Sequence, residues 1–145
     1  MEPDGPWRSI ADMSEPILIV EDEFFIAAEM RSILERNGYE VVGLAADIET
    51  AMSKAGPEVA LALVDLNLRD GLTGPQIGAR LSSEFNTAVL FITANPRLLG
   101  EGIAGTIGFI SKPADAQCLT SAVEFALERR RGTMKEPPPC LKCFA

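Results

Sequence analysis

The sequence predicts an α/β fold: a five-stranded parallel sheet with helices on both faces. Short apolar, β-branched runs alternate five times with amphipathic stretches. The runs are apolar without alternation, as in Ile17-Leu18-Ile19-Val20, which suits strands buried on both faces. Stop signals such as Asn37-Gly38 and Gly56-Pro57 separate the units.

In chain order, the first strand is Ile17 to Val20, and a helix follows from about Glu23 to Asn37. Ile26, Met30, Ile33 and Leu34 fall on one face of that helix. Val41 to Leu44 is the second strand, and Asp47 caps a helix running to about Ala55. The third strand, Val59 to Val64, runs directly into Asp65 and a loop rich in Asp, Gly and Asn. Pro75 suits the first position of the next helix, which ends near Glu84. Ala88 to Thr93 is the fourth strand. The stretch from Asn95 to Thr106 holds Pro96 and glycines 100, 102 and 105, so any fourth helix there is short and marginal. Ile107 to Ser111 is the fifth strand. The last helix starts near Asp115, carries the stripe Leu119, Ala122, Val123, Ala126, Leu127, and stops at Arg131-Gly132. Right-handed crossovers leave few topologies, and five strands suit the flavodoxin-like doubly wound order 2-1-3-4-5.

Three segments result: an N-terminal extension 1–15, a domain 16–131, and a tail 132–145. Pro137-Pro138-Pro139 cannot continue a helix, so the tail is expected to be flexible. No apolar run approaches the roughly 20 residues of a membrane span. The first fifteen residues hold acids and prolines where a signal peptide needs a basic start and an apolar stretch, so a cytoplasmic location is expected. Met13 is an alternative start, which would leave Trp7 in an appendage. A net charge of −8 argues against a dedicated nucleic-acid binder. Arg129, Arg130 and Arg131 read as cations complementing a helix C-terminus. Of the three cysteines, Cys118 reads as a small apolar filler. Cys140 and Cys143 form a C-x-x-C too poor in ligands for zinc unless two tails combine, since the chain has no histidine.

In a doubly wound sheet, ligands bind beyond the carboxyl ends of the strands. Glu21, Asp22 and Glu23 follow strand one, Asp65 follows strand three, Thr93 closes strand four and Lys112 follows strand five. Clustered carboxylates repel one another unless a cation neutralises them, and a hard ion such as Mg²⁺ takes oxygen ligands. A carboxylate also serves as a nucleophile towards phosphorus, with metal and ammonium stabilising the transferring oxygens. Any one of these residues alone reads as a cap or a surface charge. Arriving in this order, each after its own strand, they read as one phosphoryl-accepting site. A flavin or nucleotide domain would place a Gly- or Ser/Thr-rich loop where Glu-Asp-Glu stands. An aspartyl-phosphate phosphatase would place an acid at position 67, which is Asn67, and would add a cap domain.

The runs ILIVEDE, ALVDLNLRDG, VLFITA and GFISKPAD closely resemble the response-regulator receiver domain over about Pro16 to Arg131. The resemblance implies a bacterial two-component or phosphorelay protein, with Asp65 as phosphoacceptor. Glu21, Asp22, Asp65 and the backbone carbonyl of Asn67 would hold Mg²⁺. Thr93 would be the switch hydroxyl and Lys112 the phosphoryl-stabilising lysine before a cis-proline, Pro113. Ala94 would leave room for the phosphoryl group, and Phe109 would be the rotating aromatic, here without a phenolic hydroxyl. The acidic pair is Glu-Asp where Asp-Asp is commoner.

The implied partners are a histidine kinase or a phosphotransferase. Signalling would run through the face of the fourth helix, fifth strand and fifth helix, with a homodimer as one outcome. Phe125 and Cys118, off the core stripe, are expected on that face. With little chain beyond position 131, a stand-alone receiver is expected, catalysing only its own phosphorylation and dephosphorylation. A degenerate receiver serving as a binding module is the alternative, disfavoured because every expected site residue is present.

Overall fold

Four consecutive apolar residues make β1 (Ile17–Val20), and all four are buried, since β1 lies between two other strands. The structure is a computed structural model that describes residues 15–144. β2 (Val41–Ala45), β3 (Leu61–Val64), β4 (Ala88–Thr93) and β5 (Gly108–Ser111) complete the parallel part of the sheet. Their order, β2-β1-β3-β4-β5, is the predicted doubly wound order. Val20 pairs with Val64 and Val64 with Phe91, so β1 and β3 end level while β4 runs two residues further.

Alternation along the strands feeds two cores, one on each face of the sheet. Ile17, Ile19, Leu61, Leu63, Leu90 and Ile92 join the buried stripes of α1 (Phe24–Arg36) and the last helix, α4 (Ala116–Arg130). Leu18, Val20, Ala62, Val64, Val89 and Phe91 join residues of α2 (Ile48–Lys54) and α3 (Gly74–Phe85). Each fully buried Leu, Ile or Phe here stabilises the fold by roughly 1.5–3 kcal/mol.

The helix ends follow from local chemistry. Asp47 caps α2 as the sequence predicts, and does so reciprocally. Its carboxylate accepts from the Thr50 N–H at 2.9 Å, and the Thr50 hydroxyl accepts from the Asp47 N–H at 3.3 Å. Asp115 caps α4, accepting from the Cys118 N–H at 2.7 Å. Between β4 and β5 the glycine-rich stretch makes only a 3₁₀ turn, Pro96–Leu99. Among the described residues no helix is long and apolar enough to cross a membrane.

Three expectations are corrected, and all of them involve the tail. Residues 132–144 are not a flexible appendage: β6 (Leu141–Cys143) pairs antiparallel with β5 and becomes the sheet's sixth strand. Cys118 is no free apolar filler, because it forms a disulfide with Cys140. Phe125, expected on an open partner face, is only 8% exposed. It sits in the same cluster as Leu141 of the tail, so α4 buries more than one stripe. The N-terminal extension lies outside the described residues except for Glu15, whose carboxylate accepts from the Arg131 guanidinium.

Candidate functional site

Backbone hydrogen bonds carry the ladder past the last strand residues and fix the positions immediately beyond them. Glu21 N–H donates to Ala45 at 2.8 Å, Asp65 N–H to Val20 at 2.9 Å and Lys112 N–H to Thr93 at 2.9 Å. The first residues beyond β1, β3 and β5 are therefore held by neighbouring strands, not by mobile loops. Three charged side chains meet there. Lys112 Nζ donates to Glu21 Oε1 at 2.9 Å and to Asp65 Oδ2 at 3.1 Å.

The remaining carboxylate oxygens accept from backbone. Glu23 N–H donates to Glu21 Oε2 at 3.0 Å, and Leu66 N–H to Asp65 Oδ1 at 2.7 Å. Glu21 is 3% exposed and Asp65 9%, whereas Asp22 is exposed at the rim. Burial pushes the Glu21 carboxyl above its usual range, and the Asp65 charge adds to this. The hydrogen bonds from Lys112 and the Glu23 N–H offset it only in part. Burial alone would lower Lys112, but its bonds to Glu21 and Asp65, with their charge, carry its pKa above the ordinary lysine value. The ammonium is thus retained beside two acids.

One oxygen from each of Glu21, Asp22 and Asp65 lies within 4.8 Å of the others. Three hard oxygen donors, one of them a buried acid with a raised pKa, suit a hard divalent cation. Asn67, whose backbone carbonyl the resemblance implies for the metal, is exposed in the loop after β3 and is not among those three. Thr93 is buried at the end of β4, its hydroxyl oxygen accepting from the Asn95 N–H at 2.8 Å. Its hydroxyl hydrogen remains available to donate. Ala94 is exposed beside it, and the Lys112–Pro113 peptide is cis. Phe109 is half-buried on β5.

Sequence reasoning missed two supports of this site. A Cβ on Gly74 would stand 2.1 Å from the Asp65 carbonyl oxygen, so only glycine lets α3 begin against the β3 end. The adjacent Pro75 was the available signal for a tight helix start. The loop after Asp65 is also pinned to α2. Arg69 pairs with Asp47, and Asp70 accepts from the Ile48 N–H at 3.0 Å. Cys118 and Phe125 lie on α4, and neither is among the residues gathered at the acidic cluster.

The fold and site together define a class: a doubly wound α/β domain with an acid–lysine cluster at the carboxyl ends of its strands. The profile of the response regulator receiver domain matches residues 17–124, and the chain belongs to that family. PhyR, the phyllosphere-induced regulator of Methylorubrum extorquens, is 33% identical over 120 residues, covering 81% of this chain and 45% of that protein. The transcriptional regulatory protein PdtaR of Mycobacterium tuberculosis is 31% identical over 129 residues, covering 83% and 62%. The chain thus spans about half the length of these curated relatives. A solved N-terminal domain of a response regulator/sensory box/GGDEF 3-domain protein from Carboxydothermus hydrogenoformans matches with a TM-score of 0.71 at 31% identity. The match covers 81% of this chain and 98% of that one. The response regulator PhyR from Brucella abortus matches with a TM-score of 0.68 at 25% identity, covering 86% and 54%.

Proposed function

We propose that this receiver domain accepts a phosphoryl group on Asp65 from a histidine kinase or phosphotransferase, and signals through protein contacts in the cytoplasm. The observation that carries the reading is the bidentate reach of Lys112 Nζ, which touches the buried carboxylates of both Glu21 and Asp65. An ammonium so placed screens the nucleophile until the donor arrives, then stands beside the oxygens on which charge develops.

In the proposed step a carboxylate oxygen of Asp65 attacks phosphorus and forms the new O–P bond. The bond from phosphorus to the donor's leaving group breaks, and the leaving group departs with its electron pair. The Leu66 N–H, already on Asp65 Oδ1, orients the nucleophile. Lys112 exchanges its contact with Asp65 for one with the phosphoryl oxygens. Thr93 donates its hydroxyl hydrogen to the same group, and Ala94 leaves the approach open. Glu21, Asp22, Asp65 and the Asn67 carbonyl would hold Mg²⁺, which when bound neutralises the acids and shares the charge on the transferring oxygens. Phosphorylation adds close to two negative charges, and the response of Thr93 and Phe109 biases a two-state surface.

Intact-mass measurement after incubation with acetyl phosphate and Mg²⁺ tests the proposal. One phosphoryl group is expected on the wild type, and none on Asp65→Asn or after chelation of the metal. Equal labelling of Asp65→Asn would remove Asp65 from the role.

A further inference from the structure

The chain after α4 turns back so that β6 lies on the open edge of β5. Gly108 stands opposite Cys143, Phe109 opposite Lys142 and Ile110 opposite Leu141. The edge is shaped for this strand. A Cβ on Gly108 would meet the Lys142 carbonyl oxygen at 2.1 Å, and one on Gly102 would meet the Phe144 ring at 2.7 Å. Phe144 N–H donates to the Ile107 carbonyl at 2.9 Å. Its ring lies 6.1 Å from that of Phe109 and 6.4 Å from that of Phe91, centroid to centroid. The tail therefore covers both the β5 edge and one side of Phe109.

Three paired residues and one buried leucine are a slender hold against the entropy of ordering the segment. The exposed Lys135–Glu128 pair adds little. What ties the strand down is the Cys118–Cys140 disulfide, which joins the first turn of α4 to the residue before β6. Both cysteines are half-buried. A cleft of about 220 Å³, lined by Asp115, Gln117, Ser121 and Pro138, opens beside them. A bridge that an external thiolate can reach is of the labile kind.

We infer that Cys118 and Cys140 form a redox modification site whose state decides whether the C-terminal strand covers the β5 edge and Phe109. A dithiol reductant delivers two electrons and two protons to the S–S bond. Cys118 and Cys140 become thiols while the dithiol closes to its own disulfide. The tail, held then only by its short strand, leaves and returns, exposing the edge and the flank of Phe109. Cys143 cannot replace Cys118 while β6 is paired. Residues 140 and 143 stand about 10 Å apart along an extended strand, beyond the roughly 7 Å between Cα atoms that a disulfide spans. The inference does not depend on phosphoryl acceptance by Asp65.

Hydrogen exchange read by mass spectrometry on the full chain, oxidised against dithiothreitol-reduced, tests it. Reduction is verified by a gain of about 2 Da, the two hydrogens of the exchange reaction. Amides of residues 141–144 are expected to exchange on the order of 100-fold faster when reduced, with β1 and β3 unaffected. Cys118→Ser is expected to reproduce this without reductant. Equal protection of residues 141–144 in both redox states would overturn the inference. Loss of protection across the whole sheet on reduction would overturn it equally, by making the bridge a general staple.

Discussion

Two halves of the sheet, the strand-end site of β1 and β3 and the edge of β5, are held by different forces. Around β1 and β3, buried charges are fixed by backbone ladders and by one lysine shared between two acids. Along β5, apolar rings and a disulfide-tied strand close the open edge. The first arrangement gathers charge out of water, and burial is the main reason that the Glu21 carboxyl is pushed above its usual range. The second carries shape. A change in the first half should alter phosphoryl transfer with little effect on folding. A change in the second should do the reverse.

Lys112→Ala gives the largest expected departure after loss of the acceptor itself. Phosphoryl acceptance with Mg²⁺ present should fall about 10²-fold or more, as for removal of a donor to developing oxyanion charge. The rate of labelling from acetyl phosphate reads this, and a near-normal rate would break the division between the halves. Leu141→Ala comes next and tests the apolar half. A leucine 3% exposed in the larger core should cost about 2 kcal/mol in denaturant unfolding, with labelling at Asp65 unchanged.

The smallest effect belongs to Asp47. Its hydrogen bonds to Arg69 and Thr50 hold its carboxyl well below the usual carboxylate range. The folded state therefore favours the ionised form, and this stability is present above the ordinary carboxylate pKa and lost as pH falls below it. The wild type should be more thermally stable than Asp47→Asn near neutral pH. The gap between their melting temperatures should hold down to about pH 5 and narrow as pH falls from there towards the folded-state pKa, well below 3. A gap independent of pH would show that only the cap, and not the charge, matters.

The charged half was legible in the sequence because each of its residues directly follows an apolar run. Position after a strand fixes Glu21, Asp65 and Lys112 without knowledge of packing. The strand order followed from the alternation of elements, and the capping role of Asp47 from its place before Ile48. The apolar half was not legible. Cysteine connectivity cannot be deduced from spacing, and Cys118 and Cys140 are 22 residues apart. Leu141 to Cys143 is too short to stand out as a strand after three prolines, so the burial of Phe125 was missed with it. Gly74 reads as a loop glycine until the Asp65 carbonyl is seen 2.1 Å from where its Cβ would be.

The most direct test of the central claim is to locate the phosphoryl group chemically. Borohydride reduces an acyl phosphate to a primary alcohol, so labelled protein carries homoserine where the aspartyl phosphate stood. Peptide mapping after labelling with acetyl phosphate and Mg²⁺ is expected to find homoserine at position 65 and nowhere else. Homoserine at position 22, or a reduced side chain at position 21 with Asp65 intact, would contradict the account.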